Sequence, residues 1–451
     1  MTQIEKNIKK TRFSCKVILI SSPCVELNST PWAAPMGSKV SIAHNVAALF
    51  DESINVKFVG YDLSAAGNTA SSNVFNIKSP QALQYILGAP GDLGLARAYI
   101  TGALDITGDF HATLLELYRH IKEPVPKLAT LALLKSVGPQ ILTRPSLPVE
   151  EAPPRYKRGI LHSLARDKSA IQHHYDVSNS FYRMILGPTL VYSCAVFTKE
   201  KDSLEKAQLE KIDLICRKLD LRAGMRLLDI GCGWGSLVMH AAKEYGVKAV
   251  GVTLSTNQAQ LANERIAKAK LSKLIEVRIQ DYREIPENNF HAISSVGMSE
   301  HVGSAKMNGY FEELRKRVMS EGRLLNHCIV RPHSQVKERT GKFFDRYIFP
   351  DGELIAPSKV AQSMIDVGFE LRHSENLREH YSRTLTKWCE NLVENWDDAV
   401  NEVGLTRARI WHLYMTLSRI GFETNNIQIH QFLGVVNNPL GANPMPLRPN
   451  W

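Results

Sequence analysis

The middle of the chain alternates short apolar runs with segments of helical character. Arg226–Ile230 and Val247–Leu254 are apolar runs of the kind that buried parallel strands show, and Leu237–Ala242 between them has helical character. Further runs of the same kind, separated by helical segments, follow at Ile275–Ile279, His291–Val296 and Arg323–Ile329. This order predicts an α/β fold, a doubly wound Rossmann-like sheet with flanking helices.

Three closely spaced glycines follow the first predicted strand. Gly231, Gly233 and Gly235 let the backbone turn tightly and approach a ligand where a Cβ atom would collide. A dinucleotide site needs the spacing G-x-G-x-x-G and an acid near the end of the second strand. Here the spacing is G-x-G-x-G and the second strand ends in Thr253-Leu254-Ser255. Because a zwitterionic methionine moiety needs no pyrophosphate cradle, the pattern favours S-adenosylmethionine, and with it a methyltransferase.

Polar residues near the ends of these strands extend the predicted cofactor site. Asp281 follows the third strand and can accept a hydrogen bond from an adenine amino group, with Tyr282 beside the ring; an ordinary turn is the alternative. Gln258 either reaches the ribose or caps its helix. Asp229 and Gln280 at strand ends, and Tyr192 and Ser193 upstream of the sheet, belong to the same predicted site, the last two as part of a lid.

Two later strands end in ionisable residues. The fourth predicted strand is followed by Glu300, and the fifth contains His327 near its end. Parallel strands deliver such residues to one edge of a sheet, so a catalytic carboxylate is the sharper interpretation and structural pairing the alternative. No third ligand stands at metal spacing, so no metal is predicted. Cys194 is disfavoured as a nucleophile because the sequence shows no neighbouring base.

The flanking regions divide the chain further. Residues 1–122, which include the β-like run Cys15–Ile20, predict a small α+β domain; the glycine- and aspartate-rich stretch Gly91–Gly108 within it is assigned no element. Residues 123–168 form a basic, proline-rich linker with one apolar helix, Leu128–Val137, which either packs normally or docks on a membrane or subunit. Residues 169–434 form the methyltransferase domain. The segment 435–451 has four prolines and predicts a flexible tail.

The charge of the chain indicates an anionic binding partner, and its apolar runs and cysteines indicate a cellular location. The 451 residues carry a formal charge of +10, and ten Lys/Arg against five Asp/Glu lie between Leu115 and Tyr175. This basic stretch suits anionic phospholipid headgroups, nucleic acid or plain solvation, but no nucleic-acid motif accompanies it. No apolar run is long enough to span a bilayer, and the seven cysteines form no disulfide or zinc pattern. We therefore expect a cytoplasmic protein.

Several motifs, in a fixed order, resemble one enzyme family. H-H-Y-D-V-S-N at 173–179, Y-S-C-A at 192–195, L-D-I-G-C-G-W-G at 228–235, G-V-T-L-S-x-N-Q at 251–258, Q-D-Y-R at 280–283 and E-H-V-G at 300–303 are similar to those of cyclopropane-fatty-acyl-phospholipid synthases and mycolic acid cyclopropane synthases. The likeness covers about Ser169–Gly434. The N-terminal region resembles, less specifically, the small domain that precedes the catalytic one in the bacterial phospholipid enzymes.

The resemblance implies a reaction and a second set of site residues. Family members transfer a methyl group from S-adenosylmethionine to the cis double bond of an acyl chain in a membrane phospholipid, and the resulting carbocation loses a proton as the ring closes. A bound bicarbonate ion is the family's base. The matching residues here are Cys194 and Ile329, through backbone groups, with Glu300, His327 and Tyr381. We expect peripheral association with the anionic inner face of the membrane and no nucleic-acid partner; dimers occur in the family, so a homodimer stays open.

Two departures from the family pattern leave the product open. Ser299 stands where these enzymes usually have an aromatic residue before Glu-His, and Val196-Phe197 replaces a more aromatic pair. An aromatic ring can stabilise a cation, so its loss could change how the cation is resolved. The alternative product is a methylene branch, made by the same methyl transfer without ring closure and later reduced to a 10-methyl group. Methyl transfer to another acceptor and lipid binding without catalysis are the competing functions.

Overall fold

The computed structural model describes residues 41–139, 143, 145–154, 177–334 and 340–451. By their contacts, residues fall into a small unit, which runs to Glu151 and includes Gly341–Phe343 and Leu405–Leu417, and a large unit of Ala152–Thr340, Phe344–Gly404 and Ser418–Trp451. The predicted strand at Cys15–Ile20 and most of the H-H-Y-D-V-S-N motif lie outside the described residues.

The small unit is α+β. Its sheet has the order β2-β1-β3-β4, with β1 Lys57–Val59, β2 Ala65–Gly67, β3 Val74–Ile77 and β4 Leu104–Thr107. Its helices before residue 151 are α1 Ile42–Ala47, α2 Pro80–Gly88, α3 Asp92–Ile100, α4 Phe110–His120 and α5 Lys127–Val137. Leu405–Leu417, assigned by sequence to the methyltransferase domain, belongs here by its contacts: Arg409 Nη1 donates to Tyr99 O at 2.8 Å, and the His412 ring stacks on Phe110.

The stretch Gly91–Gly108 contains a helix and a strand that the sequence pattern did not reveal. Its glycines suggest irregular backbone, yet α3 runs through Gly94. A Cβ atom at Gly94 would lie 2.5 Å from the carbonyl oxygens of Tyr85 and Ala89. Glycine therefore permits the close approach of α3 to α2, a packing requirement that a single sequence does not display.

The large unit is built on a seven-stranded sheet with the order β10-β11-β9-β8-β5-β6-β7. Its strands are β5 Arg226–Ile230, β6 Lys248–Thr253, β7 Ile275–Ile279, β8 Phe290–Val296, β9 Val318–Val330, β10 Glu370–Asn376 and β11 Gln428–Val435. Strands β5 to β9 pair in parallel, and β11 is antiparallel to both of its neighbours. The predicted α/β fold, a Rossmann-like sheet with flanking helices, is confirmed.

Helices cover both faces of this sheet. The helices after residue 177 are α6 Asn179–Leu186, α7 Leu204–Lys218, α8 Ser236–Tyr245, α9 Thr256–Lys268, α10 Ser299–Val302, α11 Met307–Arg317, α12 Pro357–Asp366, α13 Arg378–Glu394, α14 Trp396–Val403 and α15 Leu405–Glu423, and the first part of α15 belongs to the small unit. One apolar cluster joins α7, α8 and α9 to one sheet face, and a second joins α11 and α12 to the other. Burial on two faces explains why the strands read as continuous apolar runs.

The segment after β11 differs from the predicted flexible tail. Met445 and Trp451 pack against the core cluster of α7 to α9, and the Trp451 ring lies 5.7 Å from the His373 ring. Asn438 also accepts hydrogen bonds from the backbone of Leu440 and Ala442. The prolines limit regular structure but do not prevent apolar anchoring. Within the described residues, no helix combines the length and apolar character needed to cross a bilayer.

Candidate cofactor and catalytic site

A cleft lies at the carboxyl ends of β8, β5, β6 and β7, where the order of the strands reverses. Parallel α/β sheets bind ligands at this place because adjacent loops diverge there. The cleft holds about 1340 Å³ of space between atoms, open solvent at its mouth included. It is lined by the following residues of the predicted cofactor site: Tyr192, Ser193, Asp229, Gly231, Gly233, Thr253, Leu254, Gln258, Gln280, Asp281 and Tyr282.

The glycine loop shapes the wall of the cleft. Gly231 has φ +75°, and a Cβ atom there would lie 2.6 Å from Met298 Sδ. Gly233 has φ +53° with no atom within 4 Å of an added Cβ, so backbone is exposed to a ligand at this point. Gly235, predicted to bind the cofactor, is not among the lining residues. Its φ of +81° lets the chain enter α8, and it packs against Ala262.

Asp229 and Gln258 are held in place by short hydrogen bonds. Ser294 Oγ donates to Asp229 Oδ1 at 2.7 Å, and burial raises the pKa of Asp229 to about 6. Thr253 Oγ1 donates to Gln258 Oε1 at 2.8 Å. Ser255, rather than Gln258, caps α9, since its hydroxyl accepts from the Gln258 backbone N–H. The Gln258 side chain is therefore part of the cleft wall.

An ion pair lies at the end of the cleft where the adenine ring is predicted to bind. Arg283 donates from Nε and Nη2 to the two carboxylate oxygens of Asp281, at 2.8 and 2.7 Å. Burial raises the pKa of Asp281, but these hydrogen bonds outweigh it and the net shift is downward. The buried Gln280 Oε1 has no hydrogen-bond partner among the described residues. Asp281 thus stays an ionised acceptor beside an amide oxygen that lacks a donor, which fits an adenine amino group.

None of the five residues expected to hold bicarbonate lines the cleft, and two of them, His327 and Ile329, lie in β9. Gly297 N–H donates to His327 O at 2.9 Å, which is the last ladder bond between β8 and β9. The next N–H on that side belongs to Ile329 and donates to Glu300 Oε1 at 2.8 Å. The Glu300 carboxylate therefore accepts the hydrogen bond that the backbone of a longer β8 strand would have accepted.

His327 is buried, Glu300 is half-buried, and both have buried polar atoms that are incompletely hydrogen-bonded. Glu300 Oε2 and both ring nitrogens of His327 have no hydrogen-bond partner among the described residues. Burial raises the pKa of Glu300 to about 7. Burial also lowers the pKa of His327 well below its ordinary value, and the charges of Lys211 and Lys218 lower it further. The site therefore holds a neutral imidazole and a carboxyl group that changes protonation near neutral pH.

Cys194 and Tyr381 are joined through α13. The Cys194 thiol donates to Ala195 O at 3.2 Å and lies 3.7 Å from Leu377 O, one turn before Tyr381. Ala195 N–H donates to Thr384 Oγ1 at 3.0 Å, which ties the Y-S-C-A segment to the same helix. Burial raises the pKa of Cys194, which favours the protonated thiol and disfavours a nucleophilic role.

Lys211, which the sequence did not mark as a site residue, lines the cleft beside Ser193. Its Nζ donates to Ser193 Oγ at 2.8 Å. A signal was available: Lys211 lies four residues from both Ala207 and Ile215, so it occupies a core-facing position of α7. Arg265 was also not predicted from the sequence. Its guanidinium group donates to Trp234 O and Ser236 Oγ and so stabilises the glycine loop.

Comparison with known proteins identifies the family. The profile described as mycolic acid cyclopropane synthetase matches residues 162–432. The chain belongs to this family. A probable fatty acid methyltransferase of Mycobacterium tuberculosis is 45% identical over 404 residues, which are 88% of this chain and 94% of the relative. The cyclopropane-fatty-acyl-phospholipid synthase of Escherichia coli is 35% identical over 260 residues, 58% of this chain and 66% of the relative.

Solved structures agree with this assignment. The cyclopropane synthase MmaA2 from Mycobacterium tuberculosis aligns with TM-score 0.57 and 33% identity, covering 59% of this chain and 98% of its own. Mycolic acid cyclopropane synthase CmaA1, complexed with SAH and CTAB, aligns with TM-score 0.57 and 32% identity over 59% and 98% of the two chains. This protein is therefore an S-adenosylmethionine-dependent methyltransferase of a lipid-modifying family.

Proposed function

We propose that this methyltransferase adds a methylene group to the cis double bond of unsaturated acyl chains in membrane phospholipids and closes a cyclopropane ring. The observation that carries the proposal is the pair Glu300, half-buried, and His327, buried, which lie near the ends of adjacent strands and have buried polar atoms without a hydrogen-bond partner among the described residues. Methyl transfer to a nitrogen or oxygen acceptor does not require a buried group to take a proton from the new methyl carbon. Ring closure on an alkene does.

The residues around Glu300 fit a small oxygen anion such as bicarbonate. The neutral His327 ring can donate from one nitrogen and accept at the other, and Glu300 Oε2 can donate when protonated. Lys211, which has no ion-pair partner among the described residues, adds a positive charge that lowers the His327 pKa and favours an anion nearby. Bicarbonate held here would supply the base for the proton lost at ring closure. Glu300 is itself positioned by the hydrogen bond that it accepts from Ile329 N–H. Cys194 and Tyr381 complete the proposed set of residues around the ion.

The role of bicarbonate has a direct test. Activity of the purified full chain is measured in carbon dioxide-free buffer and again after bicarbonate is restored. We expect activity to fall on depletion and to recover on addition. A His327→Asn variant should have low activity in both buffers, whereas a His430→Asn variant, changed on the neighbouring strand β11, should respond like the wild type. Activity that is indifferent to bicarbonate would remove the ion from the proposal.

A methylene branch is the second candidate product, and Ser299 is the observation that favours it. Ser299 is buried and its hydroxyl donates to Asn326 Oδ1 at 2.9 Å, so a polar pair occupies the place before Glu300 where relatives usually carry an aromatic residue. Without that ring the cation is less stabilised at this position. Chromatography of the acyl methyl esters separates a cyclopropane from a methylene branch, since both add one CH₂ group but differ in retention.

We further propose that helix α5 (Lys127–Val137) brings the enzyme to an anionic membrane surface on the cytoplasmic side. Leu128, Leu131 and Leu134 are 82%, 53% and 37% exposed, and their three-residue spacing places them along one stripe. Exposed Lys127 and Lys135 lie at the two ends of the helix. A leucine stripe with flanking lysines suits the interface between acyl chains and anionic headgroups.

A further inference from the structure

Lys211 is a buried lysine whose only hydrogen-bond partner among the described residues is a hydroxyl group. The side chain lies on α7 and the residue is 2% exposed. Its Nζ donates to Ser193 Oγ at 2.8 Å, and no carboxylate of the described residues forms an ion pair with it. Burying an ammonium group without a counter-charge is strongly unfavourable, because the lost hydration is not replaced. Packing alone therefore gives no reason for a lysine at this position.

Lys218 shows what a structurally satisfied lysine on the same helix looks like. It lies seven residues after Lys211, two turns along the same face of α7, and is fully buried. Its ammonium group forms an ion pair with Glu375 and donates to Gln431 Oε1 at 2.7 Å. The cleft-lining residues include Lys211 but not Lys218. The difference between the two lysines is thus a missing counter-charge, and it occurs at the wall of the cleft.

The position of Lys211 within the cleft identifies the part of the ligand that it meets. Its charge acts on Asp229 at the end of β5 and on His327 in β9. Asp281 follows β7, at the far edge of the sheet, and its charged partner is Arg283. The Lys211 ammonium group therefore lies at the end of the cleft opposite the proposed adenine contacts. At that end, S-adenosylmethionine presents its amino-acid group, a carboxylate and an ammonium.

We propose that Lys211 binds the methionine carboxylate of S-adenosylmethionine, together with the Ser193 hydroxyl, while Asp229 faces the ammonium group. No direct ion pair joins Lys211 and Asp229 in the described structure, so each charge is available to one half of the zwitterion. A neutral, buried zwitterion site of this kind needs one charge of each sign. The inference depends on the cofactor of the family and is independent of the proposed lipid acceptor.

The test compares two ligands that differ in the amino-acid group. S-adenosylhomocysteine contains the carboxylate and 5′-methylthioadenosine lacks it, whereas both contain the adenosine and the sulfur. Isothermal titration calorimetry on the full chain should show that Lys211→Met weakens S-adenosylhomocysteine binding at least tenfold and leaves 5′-methylthioadenosine binding within twofold. Lys211→Arg, which keeps the charge, should recover part of the loss.

Lys218→Met is the matched control because it removes a buried ammonium group from the same helix. We expect it to lower the melting temperature while both ligands keep their affinities within twofold. Equal weakening of both ligands by Lys211→Met would mean a structural role, and unchanged binding of both would mean no role; either result overturns the inference. A failure of the lipid proposal would instead appear as unchanged acyl chains with normal ligand binding.

Discussion

At the scale of single residues, Glu300 is the most informative side chain of the site. One carboxylate oxygen accepts from Ile329 N–H, and the other has no partner among the described residues. Its pKa is raised from an ordinary 4.5 to about 7 by burial. The ionised form is thus disfavoured in the folded protein, as expected for a group retained for chemistry rather than for stability.

The first prediction follows from this shift in the Glu300 pKa. A raised carboxyl pKa means that stability is fully present below pH 4.5 and is lost as the pH rises through 7, by up to ~3 kcal/mol. Glu300→Gln removes this loss. The melting temperature of Glu300→Gln minus that of the wild type should therefore increase by a few degrees between pH 5 and pH 8 in carbon dioxide-free buffer.

Glu394→Gln, changed at an exposed position at the end of α13, should show no such increase. The same Glu300→Gln variant should lose activity by about 10², the scale of general acid–base catalysis. A melting-temperature difference that is constant between the two pH values would contradict the proposed environment of Glu300, whatever the activity.

Single residues also show what the sequence could and could not reveal. Gly231, Gly233, Asp229 and Asp281, which line the cleft, could be predicted because ligand loops follow strands at fixed places, whereas Gly235 lies outside the lining. The motif resemblance supplied Ile329 and Tyr381, since neither residue type signals chemistry by itself. Lys211 was missed although a charge on the core-facing side of α7 was visible, because a single sequence does not show which buried charges face a cavity.

At the scale of elements, the glycine loop and Met298 fit against each other. Gly231→Ala would bring a Cβ atom to within 2.6 Å of Met298 Sδ, and Met298 also lines the cleft. We expect this variant to weaken S-adenosylhomocysteine binding at least tenfold because the Met298 side chain must move. Gly224→Ala is the matched control: its φ is +83°, but nothing lies within 4 Å of the added atom.

In both glycine variants, the positive φ should lower the free energy of unfolding by about 1 kcal/mol. Their melting temperatures should therefore fall by a similar amount. Only Gly231→Ala should change ligand affinity in calorimetry. Normal binding by Gly231→Ala would show that contact with Met298 does not shape the cofactor site.

Helix α5 gives a prediction about the membrane. Leu128→Ser combined with Leu131→Ser should reduce sedimentation with anionic vesicles severalfold, because two exposed apolar side chains are lost. Leu440→Ser, at a 93% exposed position of the large unit, should sediment like the wild type. Wild-type binding should also weaken as salt is raised. Equal sedimentation of all three proteins would exclude α5 as the contact.

Helices and strands could be predicted where the hydrophobic periodicity was strong. They could not be predicted where tertiary packing determines the secondary structure. Ile275–Ile279 has the predicted bounds, and the fourth strand begins one residue earlier than predicted. Strand β9 begins at Val318, five residues before the predicted start, because the exposed Ser320 and Glu321 interrupt the apolar run. Helix α3 was not predicted because a glycine such as Gly94 usually indicates the end of a helix. In this structure Gly94 is the residue that allows α3 to pack closely against α2.

At the scale of the whole molecule, one sheet edge unites two kinds of chemistry. The ends of β5, β6 and β7 present a cleft with the cofactor residues, and the ends of β8 and β9 present Glu300 and His327. The sequence order of these strands is enough to place both groups on one edge. It does not place Leu405–Leu417 in the small unit, since that requires contacts between residues about 300 positions apart, as in Arg409 with Tyr99.

The central claim is that the methyl acceptor is the double bond of a phospholipid acyl chain. The most direct measurement incubates the full chain with S-adenosylmethionine and vesicles of an unsaturated anionic phospholipid, then analyses the acyl methyl esters by gas chromatography and mass spectrometry. We predict acyl chains heavier by one CH₂ group, eluting as cyclopropanes, and about a hundredfold less of this product from Glu300→Gln. Unchanged acyl chains from an enzyme that binds S-adenosylhomocysteine, or methyl transfer to RNA in their place, would contradict the account.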